Sequence, residues 1–217
     1  MDIHSPLISI LMPVYNRRHL IQRALHSVFS QTLEEWELII IDDGSTDDVE
    51  EDIVPLLQRH ANFRYMKHAR RGVAASRNIG IHAAMGSYIT FLDSDDEYRN
   101  DHLELRVSFF NQYPEVDIIH GGVELVGPPE THWVVDARDE SKKIHLSECC
   151  IGSTFFGKKT TFLKSGGFKR LPYSAESEFL ARVSERFVVK KVDYPTYRYY
   201  TGLEDSVCML RIKGGSH

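Results

Sequence analysis

The chain has 217 residues, 42% of them hydrophobic and 26% charged, which suits one domain with a large core that needs no disulfide or structural metal. Lysine and arginine total 26 against 31 aspartates and glutamates, a formal net charge of −5. That balance lacks the basic footprint of a nucleic-acid binder and offers no polybasic patch for anionic lipid.

The first half alternates two periodicities. Leu7 to Met12 is a short apolar run that reads as a buried strand closed by Pro13. Asn16 is placed to cap the helix that follows, where Leu20, Ile21, Ala24, Leu25, Val28 and Phe29 recur at helical spacing. Trp36 to Ile41 is a second strand, apolar on both faces as an inner parallel strand would be. The polar turn Asp42 to Asp47, with Ser45 as a cap, opens an acidic helix to about Gln58 that Pro55 interrupts. Phe63 to Met66 is a third strand, Val73 to Met85 a helix ended by Gly86, and Tyr88 to Leu92 a fourth strand stopping at Asp93. This order implies right-handed βαβ units. Beyond it, Leu103 to Phe110 reads as a helix, Val116 to His120 as a strand and Gly121 to Glu148 as irregular. Thr154 to Phe156 reads as a strand, Glu176 to Arg186 as a helix, and Phe187 to Val192 and Thr196 to Tyr200 as late strands.

Of the three cysteines, Cys149, Cys150 and Cys208, two are adjacent and none forms C-x-x-C, so all read as reduced thiols. The N-terminus lacks the regions of a signal peptide and no apolar run is long enough for a bilayer, so a cytoplasmic protein is expected. Gly214 to His217 reads as an artificial tail outside the fold, leaving 1–213 as one domain.

Ligands of doubly wound sheets sit at the carboxyl ends of the strands. Strand one delivers Pro13, Val14, Tyr15 and Asn16 there; strand two, Asp42 and Asp43; strand three, Arg70 and Arg71; strand four, Asp93, Ser94, Asp95 and Asp96. So many carboxylates at one edge are unfavourable unless a cation shares the space, and a hard divalent ion takes oxygen ligands of this kind. There is no G-x-G-x-x-G, and Gly152 to Lys159 fails as a P-loop because Lys159 replaces the Ser or Thr that would hold magnesium.

Three segments, ISILMPVYN from Ile8, LIIIDDGSTD from Leu38 and GVAASRNIGIHAAMGSYITFLDSDD from Gly72, resemble the GT-A-fold glycosyltransferases of family 2, inverting enzymes that use nucleotide sugars. The resemblance covers nearly the whole chain. It implies an α/β fold with a mostly parallel central sheet, helices on both faces and a smaller mixed acceptor-side region. The nucleotide-sugar half would span 1–98 and the acceptor half 99–213.

The resemblance also implies roles. Pro13 and Tyr15 would shape the nucleobase pocket, Asp42 and Asp43 would bind base and ribose, and Arg71 would lie near the nucleotide. Arg77 and Asn78 would support the pocket, with Asp93 and Ser94 completing the nucleotide side. Asp93 and Asp95 would hold Mn2+ or Mg2+, and Glu176 would be the catalytic base. The family pattern is broken where Ala175 stands for a carboxylate and Glu176 for a shorter Asp, and no His follows Tyr197-Arg198. Glu178 is the rival base. The implied partners are a nucleotide-sugar donor, a UDP-sugar first, and a carbohydrate or glycolipid acceptor. No nucleic acid is expected, and membrane contact would be at most peripheral, at the inner face. Two other readings compete: a catalytically weak sugar-nucleotide-binding module, and a nucleotidyltransferase, which would want a Gly- and Arg-rich loop after strand one.

Overall fold

In the computed structural model, residues 5–136, 139, 141–171 and 174–203 are described; the tail at Gly214 and Cys208 lie outside them. The first half runs β1 (Ile8–Val14), α1 (Ile21–Phe29), β2 (Trp36–Asp42), α2 (Glu50–Arg59), β3 (Phe63–Lys67), α3 (Val73–Ala83) and β4 (Tyr88–Phe91). It continues through β5 (Glu97–Tyr98), α4 (His102–Gln112), β6 (Ile118–His120), β7 (Val123–Val126), β8 (Trp133–Val135) and β9 (Lys143–His145). The last part holds β10 (Phe156–Lys158), α5 (Lys159–Lys164), α6 (Ala175–Ser184), β11 (Val189–Lys191) and β12 (Tyr197–Tyr200).

Seven strands form the central sheet in the order β11-β6-β10-β4-β1-β2-β3. β1 pairs in parallel with β2 and β4, β2 with β3, and β6 with β11; β10 alone is antiparallel, to β4 and β6. Both halves of the sequence thus build one sheet. Every residue of β1 and β2 is buried, because helices cover both faces. Ile8, Ile10, Met12 and Val14 pack with α1, α2 and α4; Leu11, Ile39 and Ile41 pack with α3, α5 and α6. A second sheet, β5-β12-β7, brings β12 back beside the turn that follows β4, and β8 and β9 form a two-stranded ribbon. No helix among the described residues is long and apolar enough to cross a membrane.

Several local expectations are corrected. β1 runs through Pro13 to Val14, which pairs with Asp42. The carbonyl of Leu11 faces β4, so the nitrogen of Pro13 faces that side too, where β4 has already ended at Phe91 and no bond is lost. Asn16 does not cap α1, which starts four residues beyond its reach. It sits at φ 50° and its Oδ1 accepts the Thr46 N–H at 2.8 Å. Ser45 likewise does not cap α2; its hydroxyl accepts the Asn16 N–H at 3.0 Å. Pro55 lies inside α2 without breaking it, since the carbonyl it leaves unpaired belongs to exposed Glu51, where water serves. Gly86 does not end α3, which stops at Ala83; a Cβ there would lie 2.6 Å from the Ser9 nitrogen, so close packing on β1 requires the glycine. The strand expected at Thr154 is a 3-10 turn, Gly152–Thr154, and β10 begins at Phe156. The irregular stretch after Gly121 contains β7, β8 and β9, each stabilised by pairing that local periodicity does not encode.

Candidate active site

The carboxyl ends of β1, β2, β3 and β4 meet at one edge of the sheet. At the end of β2, Asp42 is fully buried: its Oδ2 accepts the Tyr65 hydroxyl at 2.6 Å and its Oδ1 the Ser45 N–H at 2.7 Å. Burial pulls its carboxyl upward, but these hydrogen bonds and Lys67 at 3.6 Å hold it below the ordinary carboxylate range. Asp43 accepts the Arg71 N–H at 2.7 Å and the Gly72 N–H at 2.8 Å, which fixes the start of α3 and places Arg71, exposed, at the rim. Asp42, expected at the base and ribose, therefore has no exposed side-chain surface and lies beneath the loop. Pro13 is buried within β1. Tyr15 is half-buried; the Arg70 guanidinium lies 3.8 Å from its ring centroid and donates to its hydroxyl at 2.6 Å. Sequence reasoning placed Arg70 at this edge without giving it that contact.

One arginine joins the two halves. Arg77, 3% exposed on α3, donates from Nη2 to Asp93 Oδ1 at 3.1 Å and from Nη1 to Glu176 Oε1 at 2.5 Å. Its cation also lies 5.4 Å from the Phe168 ring. Asn78, its neighbour, ties α3 to the Gly166-Gly167-Phe168 turn: its amide donates to the Phe168 carbonyl and accepts the Phe168 N–H, both at 2.8 Å. Gly152 lies under this bridge, where a Cβ would come within 2.1 Å of Glu176 Cγ. That role in the failed P-loop segment had no sequence signal. Cys150 is nearby, its thiol pushed up to about 12 by burial and then by the charge of Glu176. Glu178 faces elsewhere, held by Arg182 at 2.9 Å and Lys169 at 2.6 Å.

After β4, Asp93, Ser94, Asp95 and Asp96 form a tight turn closed by an Asp96 N–H to Asp93 carbonyl bond of 3.0 Å. Ser94 and Asp96 are buried; the Asp93 and Asp95 side chains keep some exposed surface. Arg17 lies 3.8 Å from Asp95 Oδ2. Burial first, then the charges of Asp95 and Asp93, raise the Asp96 carboxyl well above the ordinary range. Hard oxygen donors in a negative field fit a divalent cation such as Mn2+ or Mg2+. Among the described residues no group of three or more His, Cys, Asp or Glu side chains is arranged to hold a metal.

The family described as glycosyl transferase family 2 matches residues 9–166. The chain belongs to that family. Its curated relatives match about half of this chain, which spans only 15% to 47% of their lengths. Among them is an Escherichia coli protein named UDP-Glc:alpha-D-GlcNAc-diphosphoundecaprenol beta-1,3-glucosyltransferase WfgD, 32% identical over 120 residues, which are 55% of this chain and 47% of that one. The fold is that of Staphylococcus aureus TarS 1-349, solved with UDP-GlcNAc: TM-score 0.73 and 18% identity, covering 93% of this chain and 60% of that one. A mannosyltransferase of Pyrobaculum calidifontis, solved with GDP-Man and Mn2+, gives a TM-score of 0.70 at 17% identity, covering 91% and 57%. The family-2 chain therefore has the GT-A arrangement, a large and mostly parallel sheet with the carboxylate turn following β4.

Proposed function

We propose that this chain transfers a sugar from a nucleoside diphosphate sugar, a UDP-sugar first, to an acceptor hydroxyl with inversion at the anomeric carbon. The observation that carries the reading is the Arg77 bridge, which sets the α6 carboxylate Glu176 beside Asp93 at the ligand edge. Glu178 is bound to Arg182 and Lys169 instead, which favours Glu176 as the base.

In this reading Tyr15 and Pro13 shape the base pocket, Asp43 and Arg71 meet the nucleotide, Asp42 supports them from below, and Asn78 fixes α3. Asp93, Ser94 and Asp95 face the diphosphate, and the two aspartates would hold Mn2+ or Mg2+. Such an ion supplies Lewis-acid neutralisation of charge on the departing diphosphate. Glu176 takes the proton from the attacking hydroxyl as the new glycosidic bond forms and the bond to the diphosphate breaks. Family membership, the UDP-Glc donor in WfgD's name and the UDP-GlcNAc complex of TarS support the donor class. The acceptor in WfgD's name supports a diphosphoundecaprenol-linked sugar as acceptor here, and we place the reaction in cell-surface polysaccharide synthesis at the inner face of the membrane.

The test is incubation with UDP-glucose, UDP-GlcNAc and GDP-mannose plus manganese, with diphosphoundecaprenol-linked GlcNAc as acceptor. Nucleoside diphosphate release is expected. Glu176→Gln should cut transfer ~10²-fold or more with UDP affinity nearly unchanged, the scale of general base catalysis. Binding without turnover would leave a sugar-nucleotide-binding module, and pyrophosphate release a nucleotidyltransferase. Full activity of Glu176→Gln with loss in Glu178→Gln would refute the choice of base.

A further inference from the structure

The turn that carries Asp93 and Asp95 is gripped from a strand more than a hundred residues away. Tyr197 on β12 is completely buried. Its hydroxyl accepts the Asp93 N–H at 3.2 Å and donates to Asp96 Oδ2 at 2.7 Å, while Asp96 Oδ1 accepts the Tyr200 N–H at 2.8 Å. With the Asp96 N–H bonded to the Asp93 carbonyl, these contacts close a ring through both ends of the turn. On its other side the Arg23 guanidinium lies 3.4 Å from the Tyr200 ring centroid and donates to the Asp95 carbonyl. The backbone at Asp93 and Asp95 and the carboxylate of Asp96 are thus all held. The side chains of Asp93 and Asp95 are the acidic groups of the turn with exposed surface.

We propose that Tyr197 is a positioning residue for nucleotide binding: its hydroxyl holds the turn so that the Asp93 and Asp95 carboxylates converge on a divalent cation shared with the diphosphate of the donor. This rests on the donor reading above. Two carboxylates on a short turn converge on one ion only in a narrow range of backbone conformations. Residues that orient metal ligands from outside the coordination sphere are commonly worth ~10–100-fold in metal affinity. β12 supplies that restraint, although the strand carries no histidine to bind the ion itself.

Calorimetry with UDP, in manganese and in chelator, tests this on the full chain, on Tyr197→Phe and on Tyr98→Phe. Tyr98 is the control: it is also buried and stacks on His102, but its hydroxyl donates to the Phe91 carbonyl at 2.7 Å and makes no hydrogen bond to a carboxylate. Tyr197→Phe is expected to lower the manganese-dependent gain in UDP affinity about tenfold, with affinity in chelator unchanged. Tyr98→Phe should keep the full gain. An undiminished gain in Tyr197→Phe, or an equal loss in both variants, would overturn the proposal. If Tyr197→Phe does not fold, Asp96→Asn, which preserves the volume and alters the same bond, is judged by the same criterion. A wild-type chain whose affinity for UDP and GDP ignores manganese would overturn the metal part of the donor reading, and this inference with it.

Discussion

Arg77→Met removes the cation between Asp93 and Glu176 while keeping most of the aliphatic stem. Arg77 is 3% exposed, whereas the side chains of Asp93 and Glu176 are 28% and 22% exposed. Breaking a buried ion pair by deleting one partner costs about 3–5 kcal/mol. Water reaches both carboxylates here, so we take the lower end, about 3 kcal/mol. For a domain of this size each kcal/mol moves Tm by ~2–4 °C, giving an expected drop of ~6–12 °C by scanning calorimetry. Arg77→Lys should recover part of the loss, since an ammonium retains the charge but cannot span two carboxylates in the manner of a guanidinium. In the same variants UDP affinity should fall less than turnover, because the bridge positions Glu176, the base in the proposed reaction. A loss below about 1 kcal/mol in Arg77→Met, with native circular dichroism, would refute the bridge as the tie between α3, β4 and α6.

Gly152→Ala adds a Cβ 2.1 Å from Glu176 Cγ, so the side chain must move off Arg77; stability should fall by ~1–3 kcal/mol, and turnover about tenfold with UDP affinity near wild type. Wild-type turnover would show that Glu176 tolerates displacement. Asp42 has a lowered carboxyl pKa, so its ionised form stabilises the fold above the ordinary value of about 4, and this is lost as pH falls through the folded value. Urea unfolding of wild type and Asp42→Asn should therefore show a gap at pH 7 that closes in acid; a gap independent of pH would contradict the assignment.

Much of the framework was legible because it is locally encoded. Leu38 to Ile41 is apolar on both faces, and only an inner strand between helix layers buries such a run. Asp42 closes β2, and Asp43, Asp93 and Asp95 come within four residues of a strand's end, so the chain order of a doubly wound sheet sufficed to bring them to one edge. Motif resemblance could nominate Arg77 and Glu176 separately. It could not show that one guanidinium spans Asp93 and Glu176, which lie 16 and 99 positions from Arg77 in the sequence.

The sequence by itself determined the first four strands, their helices and the acidic edge, because burial periodicity and strand-end polarity act over a few residues. Tertiary structure alone decided the rest. β5, β7, β8 and β9 are two to four residues long and exist through their pairing, so no periodicity announces them. Gly152 is required because Glu176 folds down over it. Tyr197 reaches Asp93 only because β12 returns to pair with β5. Each of these depends on where a distant segment is laid by packing, and a local pattern carries no information about distance in space.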